Sequence, residues 1–401
     1  MTSFGFGRYA LAVCAAAMFA GCGGGSTPLY PPSPDRFTAL RTHVRPAYSL
    51  LHSFKGGSRD GENPFAGLIN VNGTLYGTTV SGGAYCASTG CGTVFSITTS
   101  GVESVLYSFK NDPDGSQPLA GLLNVKGTLY GTTNGGGGIY GTVFSVTRSG
   151  KESVLYTFGG GSADGQFPYA SLIDVKGTLY STTETGGAYR DGTVFAITTS
   201  GKETVLYSFG GGSGDGEDPY AGLTNVNGTL YGTTEFGGAN GAGTVFAITT
   251  SGKETVLYSF RSGSGDGKFP YAGLINVNGT LYGTTYYGGA NDDGTVFKIT
   301  TSGKETVIYS FNGGSGDGRY PSADLVNVNG TLYGTTYKGG PNDAGTIFSI
   351  TPTGKEILLY SFGGKSGKYP EAGLLNVNGT LYGTTASGGA KGRGTVFAIT
   401  P

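Results

Sequence analysis

The sequence predicts an all-β protein: a seven-bladed β-propeller of four-stranded antiparallel blades. Three observations predict it. The decamer NVNGTLYGTT stands at 70–79, 225–234, 276–285, 327–336 and 376–385, with near copies at 124–133 (NVKGTLYGTT) and 174–183 (DVKGTLYSTT). Its glycines, Gly73, Gly127, Gly177, Gly228, Gly279, Gly330 and Gly379, are 54, 50, 51, 51, 51 and 49 residues apart, the period of stacked or ringed supersecondary units. The units are rich in Gly, Thr, Val, Tyr and Phe, without the 3.6-residue apolar period of a helix. Finally, the last unit lacks a fourth strand, and a segment ahead of the first unit has the sequence to supply it.

The N-terminus reads as a separate object. Residues 10–21 form an apolar run too short to span a membrane and end in Phe19-Ala20-Gly21-Cys22. Small residues followed by cysteine resemble the lipobox of bacterial lipoproteins, although Phe19 stands where leucine is usual. The resemblance implies a lipoprotein signal peptide over 1–21 and lipidation of Cys22. It also implies an envelope location, with Gly23 pointing to the outer membrane. Residues 22–46, opening with Gly, Ser and Pro, read as a tether. The propeller is expected over 47–401.

Within it, Tyr48–Phe54 (YSLLHSF) aligns with the VLYSF strands and is predicted to be the outer strand of the seventh blade, closing the ring. Residues 219–260 show one unit's parts. AGLTNV leads through an Asn227-Gly228 turn to TLYGTT; a loop, EFGGANGAG, leads to TVFAIT; Ser251-Gly252 turns the chain into ETVLYSF. Asn-Gly tolerates two positive φ angles and fixes hairpin register. The same Asn-Gly-Thr triplet matches an N-glycosylation sequon. Lysine replaces the asparagine at Lys126 and Lys176, so the turn reading is preferred. Alternation places Val205, Tyr207 and Phe209 on one face and Leu206 on the other. Apolar residues on both faces demand face-to-face blade packing, and Gly232 suits a crowded axis.

The pattern G-L-x-x-V-x-G-x-L-Y-G-T-T, a GG loop, G-T-V-F-x-I and a strand ending S-F resembles the GloVer tandem-repeat family of bacterial surface proteins over residues 48–401. The resemblance implies no catalytic motif. The kelch Tyr/Trp spacing and the WD dipeptide are absent.

Composition narrows function. Lys+Arg is 25 and Asp+Glu 26, a net charge of −1, so no basic field points to nucleic acid. There is no Trp, and the histidines are His43 and His52 alone. Most metal and His-based acid–base chemistry is thereby removed, and no metal, cofactor or catalytic residue is expected. A monomer is expected. The stretch from Gly73 to Gly92 is 19 residues where the other units have 14 or 15, and CASTGC occupies the excess. In an oxidising compartment Cys86 and Cys91 are expected to pair, worth about 2 kcal/mol in the chain-entropy model.

Propeller connectivity places the second-to-third and fourth-to-first loops on one face. That face varies between units and carries Tyr85, Tyr140, Tyr189, Phe236, Tyr286, Tyr287 and Tyr337. The opposite face repeats TTSGKET, which reads as a solvated ring of Lys202, Lys253, Lys304 and Glu203, Glu254, Glu305. An Asp-Gly recurs in the fourth-to-first loops at Asp60, Asp114, Asp164, Asp215, Asp266 and Asp317. One carboxylate per loop is too few for a calcium site and suits an Asx-type turn. Function is read as non-catalytic binding of a glycan or protein through the variable face. The expected site is Phe236, Tyr286, Tyr287, Tyr337 and Lys338, with Asp292, Asp293 and Asp343 beside them. The alternatives are a carbohydrate-active enzyme drawing on repeat-breaking carboxylates (Asp174, Asp324, Glu371), or a purely structural envelope protein.

Overall fold

The computed structural model describes residues 46–401 except Ser88, so the expected leader, Cys22 and nearly all of the tether lie outside the described residues. Seven four-stranded antiparallel sheets follow one another along the chain. Blade 4 is typical, with strands Thr224–Val226, Thr229–Thr234, Thr244–Thr249 and Glu254–Ser259 paired in sequence order. The short first strands contact one another from blade to blade and form the inner wall around the axis. Blade 7 is composite. Leu375–Val377, Thr380–Thr385 and Thr395–Thr400 come from the C-terminal end, and Ala47–Ser53 is its outer strand, with Ala47 opposite Thr400. No helix among the described residues is long and apolar enough to cross a membrane.

The decamer explains this construction residue by residue. Its first Asn accepts a hydrogen bond from the turn glycine, as in Asn225 Oδ1 with Gly228 N at 2.9 Å. Asp174 does the same for Gly177 at 2.7 Å, so it is a turn residue and not a free carboxylate. The turn pair is left-handed throughout, as at Asn227 (φ 53°) and Gly228 (φ 91°), and Lys126 (φ 51°) and Lys176 (φ 55°) follow suit. The strand glycine is needed for a neighbour rather than for the axis. A Cβ on Gly232 would stand 2.5 Å from the Phe246 ring of the paired third strand.

The two threonines are fasteners. The second bonds within its blade, as in Thr234 Oγ1 to Thr244 Oγ1 at 2.8 Å. The first donates across the blade boundary to an alanine carbonyl: Thr78 to Ala120, Thr132 to Ala170, Thr182 to Ala221, Thr233 to Ala272, Thr335 to Ala372 and Thr384 to Ala66, at 2.9–3.3 Å. The last of these closes the ring. At the remaining junction Thr284 Oγ1 is buried without a partner.

The core is seven apolar clusters, each shared by two adjacent blades. In each, the phenylalanine ending one outer strand meets edge-on the phenylalanine of the next blade's third strand. Phe209 and Phe246 lie 5.1 Å apart, and Phe54 and Phe95 close the seam at 5.2 Å. Such pairs add roughly 0.5–1.5 kcal/mol beyond their burial. Strict alternation fails in the outer strand. Phe195 pairs with Val205 and Val194 with Tyr207, leaving Leu206 in a one-residue bulge. Leu206 and Tyr207 consequently pack on the same cluster as Phe209.

Deletion of residues 46–54 removes Phe54 and bares the Thr395–Thr400 edge. The expected outcome is a lower Tm and soluble aggregates by light scattering. A monomeric deletion variant with unchanged melting would show that the strand does not seal the ring.

Candidate functional site

The variable loops are stiffened by pairing. The fourth-to-first loop of each blade forms a two-residue ladder or a single bridge with the second-to-third loop, as Gly267–Lys268 does with Tyr287–Gly288. The residue before the loop proline is left-handed in every blade: Asn63, Gln117, Phe167, Asp218, Phe269, Tyr320 and Tyr369, with φ between 53 and 59°. Two backbone bonds hold it there. Tyr369 N–H donates to Ala344 of the preceding blade at 2.8 Å, and its carbonyl accepts from Ala386 at 3.0 Å. The proline follows, and the next residue reaches the axis.

Those next residues are Phe65, Leu119, Tyr169, Tyr220, Tyr271, Ser322 and Glu371, one per blade, and together they line a cavity of about 650 Å³ at the axial mouth. Tyr286, Tyr287 and Tyr337 complete its wall. Aromatic contacts run from Tyr169 to Tyr220 (4.7 Å), Tyr271 (5.5 Å) and Tyr286 (5.0 Å), and Tyr286 stacks on Tyr320 at 5.0 Å. Behind them the Tyr220 hydroxyl donates to Glu184 at 2.9 Å and Tyr271 to Glu235 at 2.5 Å, fixing both rings. Burial raises both carboxyls above the usual range, and the tyrosine bonds partly offset it. Burial alone pushes Glu371 up to about 7. Among the described residues, no lysine, arginine or histidine lines the cavity.

Blade 6 departs from the repeat beside the cavity. Ser322 Oγ, like Thr284 Oγ1, is buried without a partner. Two residues deeper, Asp324 replaces the usual glycine. Water reaches it, yet protein surrounds it, and burial raises its pKa. Its Oδ1 accepts Gly273 N–H at 2.6 Å, as Ser171 Oγ accepts Gly121 N–H at 2.9 Å in the equivalent position. Asp324 therefore holds the neighbouring inner strand.

The Gloeobacter/Verrucomicrobia repeat model matches residues 41–215 and 204–397. The chain belongs to the Gloeobacter/Verrucomicrobia repeat family. No curated protein matches its sequence. Among solved structures, puromycin hydrolase is similar over 84% of this chain and 53% of that one, at 11% identity and a TM-score of 0.51. This chain thus spans about half of that enzyme. A putative 6-phosphogluconolactonase from Bacteroides uniformis ATCC 8492 matches at 13% identity and a TM-score of 0.48, covering 77% of this chain and 86% of the other. Trypanosoma rangeli sialidase matches at 12% identity and 0.48, covering 88% and 58%. At such identities the likeness concerns the fold alone.

In this member of the Gloeobacter/Verrucomicrobia repeat family, the residues singled out from sequence divide. Tyr286, Tyr287 and Tyr337 line the mouth and are half-buried rather than exposed. Phe236 packs edge-on to Phe269 at 5.1 Å and faces a separate groove with Glu217 and Asp218. Asp292 is paired with Lys268 at 2.9 Å, and Asp343 with Arg319 at 2.7 Å, on the rim. The Arg319 bonds hold Asp343 below the usual carboxylate range. Asp293 is raised, chiefly by burial, and Lys338 lies near the Tyr337 ring. Cys86 and Cys91 are bonded in the first blade's loop, with Cα atoms 5.4 Å apart. The mouth ring itself was overlooked as a set. Its signal is the residue after each loop proline, of which only Glu371 was singled out.

The repeated aspartates close their loops. Asp266 Oδ1 accepts Gly267 N–H at 2.7 Å, and Oδ2 accepts Arg261 N–H at 2.9 Å and the Tyr258 hydroxyl at 2.7 Å. Asp60, Asp114, Asp164, Asp215 and Asp317 do the same loop-closing work. The glutamates assigned to a solvated ring are instead half-buried. Lys202, Lys253 and Lys304 are exposed, but one oxygen of each of Glu203, Glu254 and Glu305 is buried without a hydrogen-bond partner. The reason is that each such glutamate lies beside the preceding blade's Asp–Tyr pair. Burial first, and then the neighbouring aspartate, pushes these three carboxyls up to about 7.

A carboxyl titrating near 4.5 when unfolded and near 7 when folded takes up protons on folding between those values. Its contribution is fully present below about 4.5 and is lost as pH rises through about 7. Tm is therefore expected to be higher at pH 5 than at pH 8. Replacing Glu203, Glu254 and Glu305 together by Gln should flatten that dependence in calorimetric scans. An unchanged slope in the triple variant would count against the assignment.

Proposed function

We propose that this β-propeller repeat protein is a non-catalytic binding module that holds a neutral sugar ring of a glycan at the axial mouth. The observation that carries the reading is the 650 Å³ cavity walled by tyrosines, with one carboxyl, Glu371, among its lining residues. Aromatic faces suit the C–H surface of a pyranose, and hydroxyl and carboxyl groups suit its rim hydroxyls. A mouth with Glu371 in its wall, Glu184 and Glu235 behind it and no cation in its lining disfavours acidic sugars. Paired loops hold the wall before the ligand arrives, which limits the ordering cost of binding. Glycoside hydrolysis calls for two carboxyls flanking the bond; the lining supplies Glu371 alone, which favours binding over turnover. In this proposal Cys22 carries lipid and the propeller is held outside the cytoplasm, at the outer membrane. The bonded Cys86 and Cys91 suit an oxidising compartment.

A neutral-glycan array followed by titration calorimetry tests the reading. Tyr286→Ala with Tyr337→Ala should weaken binding at least about tenfold with little change in Tm, given the usual worth of aromatic contacts. Lys202→Ala with Lys253→Ala, on the opposite face, should leave affinity unaltered. Binding lost in the lysine pair and kept in the tyrosine pair would move the site to the other face. Fractionation tests the anchor: Cys22→Ala should shift the protein from membrane to soluble fractions, and its retention in the membrane would argue against lipidation.

A further inference from the structure

The junction between blades 7 and 1 carries a histidine where every other outer strand carries a tyrosine. At four of the others the outer-strand tyrosine donates its hydroxyl to the loop aspartate: Tyr107 to Asp114, Tyr207 to Asp215, Tyr258 to Asp266 and Tyr309 to Asp317. The next blade's glutamate lies beside that pair. At the seam His52 stands in the tyrosine position, two residues before Phe54 as Tyr107 is before Phe109. It faces Asp60 from the fourth-to-first loop and Glu103 from blade 1.

Three observations about this trio point the same way. One ligand atom from each residue lies within 4.8 Å of the other two. His52 Nε2 and Glu103 Oε1 are both shut off from solvent and have no hydrogen-bond partner. The His52 Nε2 to Asp60 Oδ1 distance is 3.6 Å, long for a hydrogen bond. Two donors at the usual ~2.0–2.1 Å from a tetrahedral zinc ion stand roughly 3.3 Å apart, so a small closure would bring both into coordination. Asp60 is already oriented, its oxygens accepting Gly61 and Lys55 N–H groups at 2.8 Å each, and the Phe54 ring lies 4.8 Å edge-on from the imidazole. Held carboxylates and packed imidazoles are the support that metal ligands need.

We propose that His52, Asp60 and Glu103 form a site for one divalent transition-metal ion of the zinc class, which ties the N-terminal strand to the first blade. The donor set, one imidazole and two carboxylates, suits zinc and its neighbours better than calcium or magnesium, which prefer all-oxygen shells. The fourth position is left to water. The positive charge of Lys55 also acts on Glu103, so the metal must compete with it. Composition argued against a metal because histidine is scarce. The one described histidine stands where the repeat otherwise places tyrosine, and that position is the exception.

His52→Tyr is the decisive variant, since it restores the repeat's own residue at a position that accepts tyrosine elsewhere in the ring. Full-length wild type and variant are equilibrated with zinc sulfate against a competing chelator, and bound zinc is quantified. Cysteines and His43 outside the trio are common to both chains and cancel. Wild type is expected to retain one more equivalent than His52→Tyr. Zinc should raise the wild-type Tm by about 3 °C or more and leave the variant's unchanged. Glu103→Gln, which keeps the side chain's shape, should also lose that equivalent and carries the test if His52→Tyr fails to fold. Equal zinc in wild type and the folded variants, or no zinc-dependent change in wild-type Tm, overturns the proposal.

Discussion

A threonine hydroxyl reaching over a blade boundary to an alanine carbonyl is the contact on which this molecule depends. It is made at six of seven junctions, deep beside the axis, where neither group can turn to water instead. A buried hydroxyl and carbonyl that both lost their partner would each carry a desolvation cost of about 1–3 kcal/mol. The bond also sets position. It fixes the height of each inner strand against the next, and so the height at which the residue after the loop proline meets the axis. The edge-on phenylalanine pairs supply apolar burial between the same blades but tolerate sliding; a directional bond does not.

This division of labour explains why variation collects where it does. Positions that touch a neighbouring blade repeat almost letter for letter, because each must satisfy the same partner seven times. The residue after the proline has no partner that recurs in every blade, and it ranges from phenylalanine to serine to glutamate around the mouth. The junction missing its threonine bond lies between blades 5 and 6, beside Ser322 and the Tyr286–Tyr320 stack. Loss of a repeated structural contact and the presence of unpartnered polar atoms coincide at one side of the cavity.

Much of the fold was legible in the sequence because its determinants are local. Asn-Gly announces each hairpin, the period counts the blades, and Ser53-Phe54 betrays a strand displaced to the other end of the chain. The mouth was less legible because it is assembled from seven positions far apart in sequence that meet only through ring geometry. Tyr286, Tyr287 and Tyr337 were found as loop aromatics. Phe65, Leu119, Tyr169, Tyr220 and Tyr271 were not, since each looks like an ordinary residue after proline. The glutamates failed for a different reason. TTSGKET reads as a polar turn, and nothing in one unit reveals that Glu203, Glu254 and Glu305 lie against the preceding blade.

The composite seventh blade also bears on how the ring is made. Its outer strand, Ala47–Ser53, is synthesised before any other part of the propeller, and its partner, Thr395–Thr400, after all the rest. Until that partner emerges, the early strand has no native neighbour to pair with, and blade 1 has an uncovered flank. Pairing so distant in sequence is slow to find and leaves strand edges open to wrong partners meanwhile. A chain cut short by even one strand is therefore left with two loose ends rather than one, a state that a protease or chaperone can distinguish from the sealed ring.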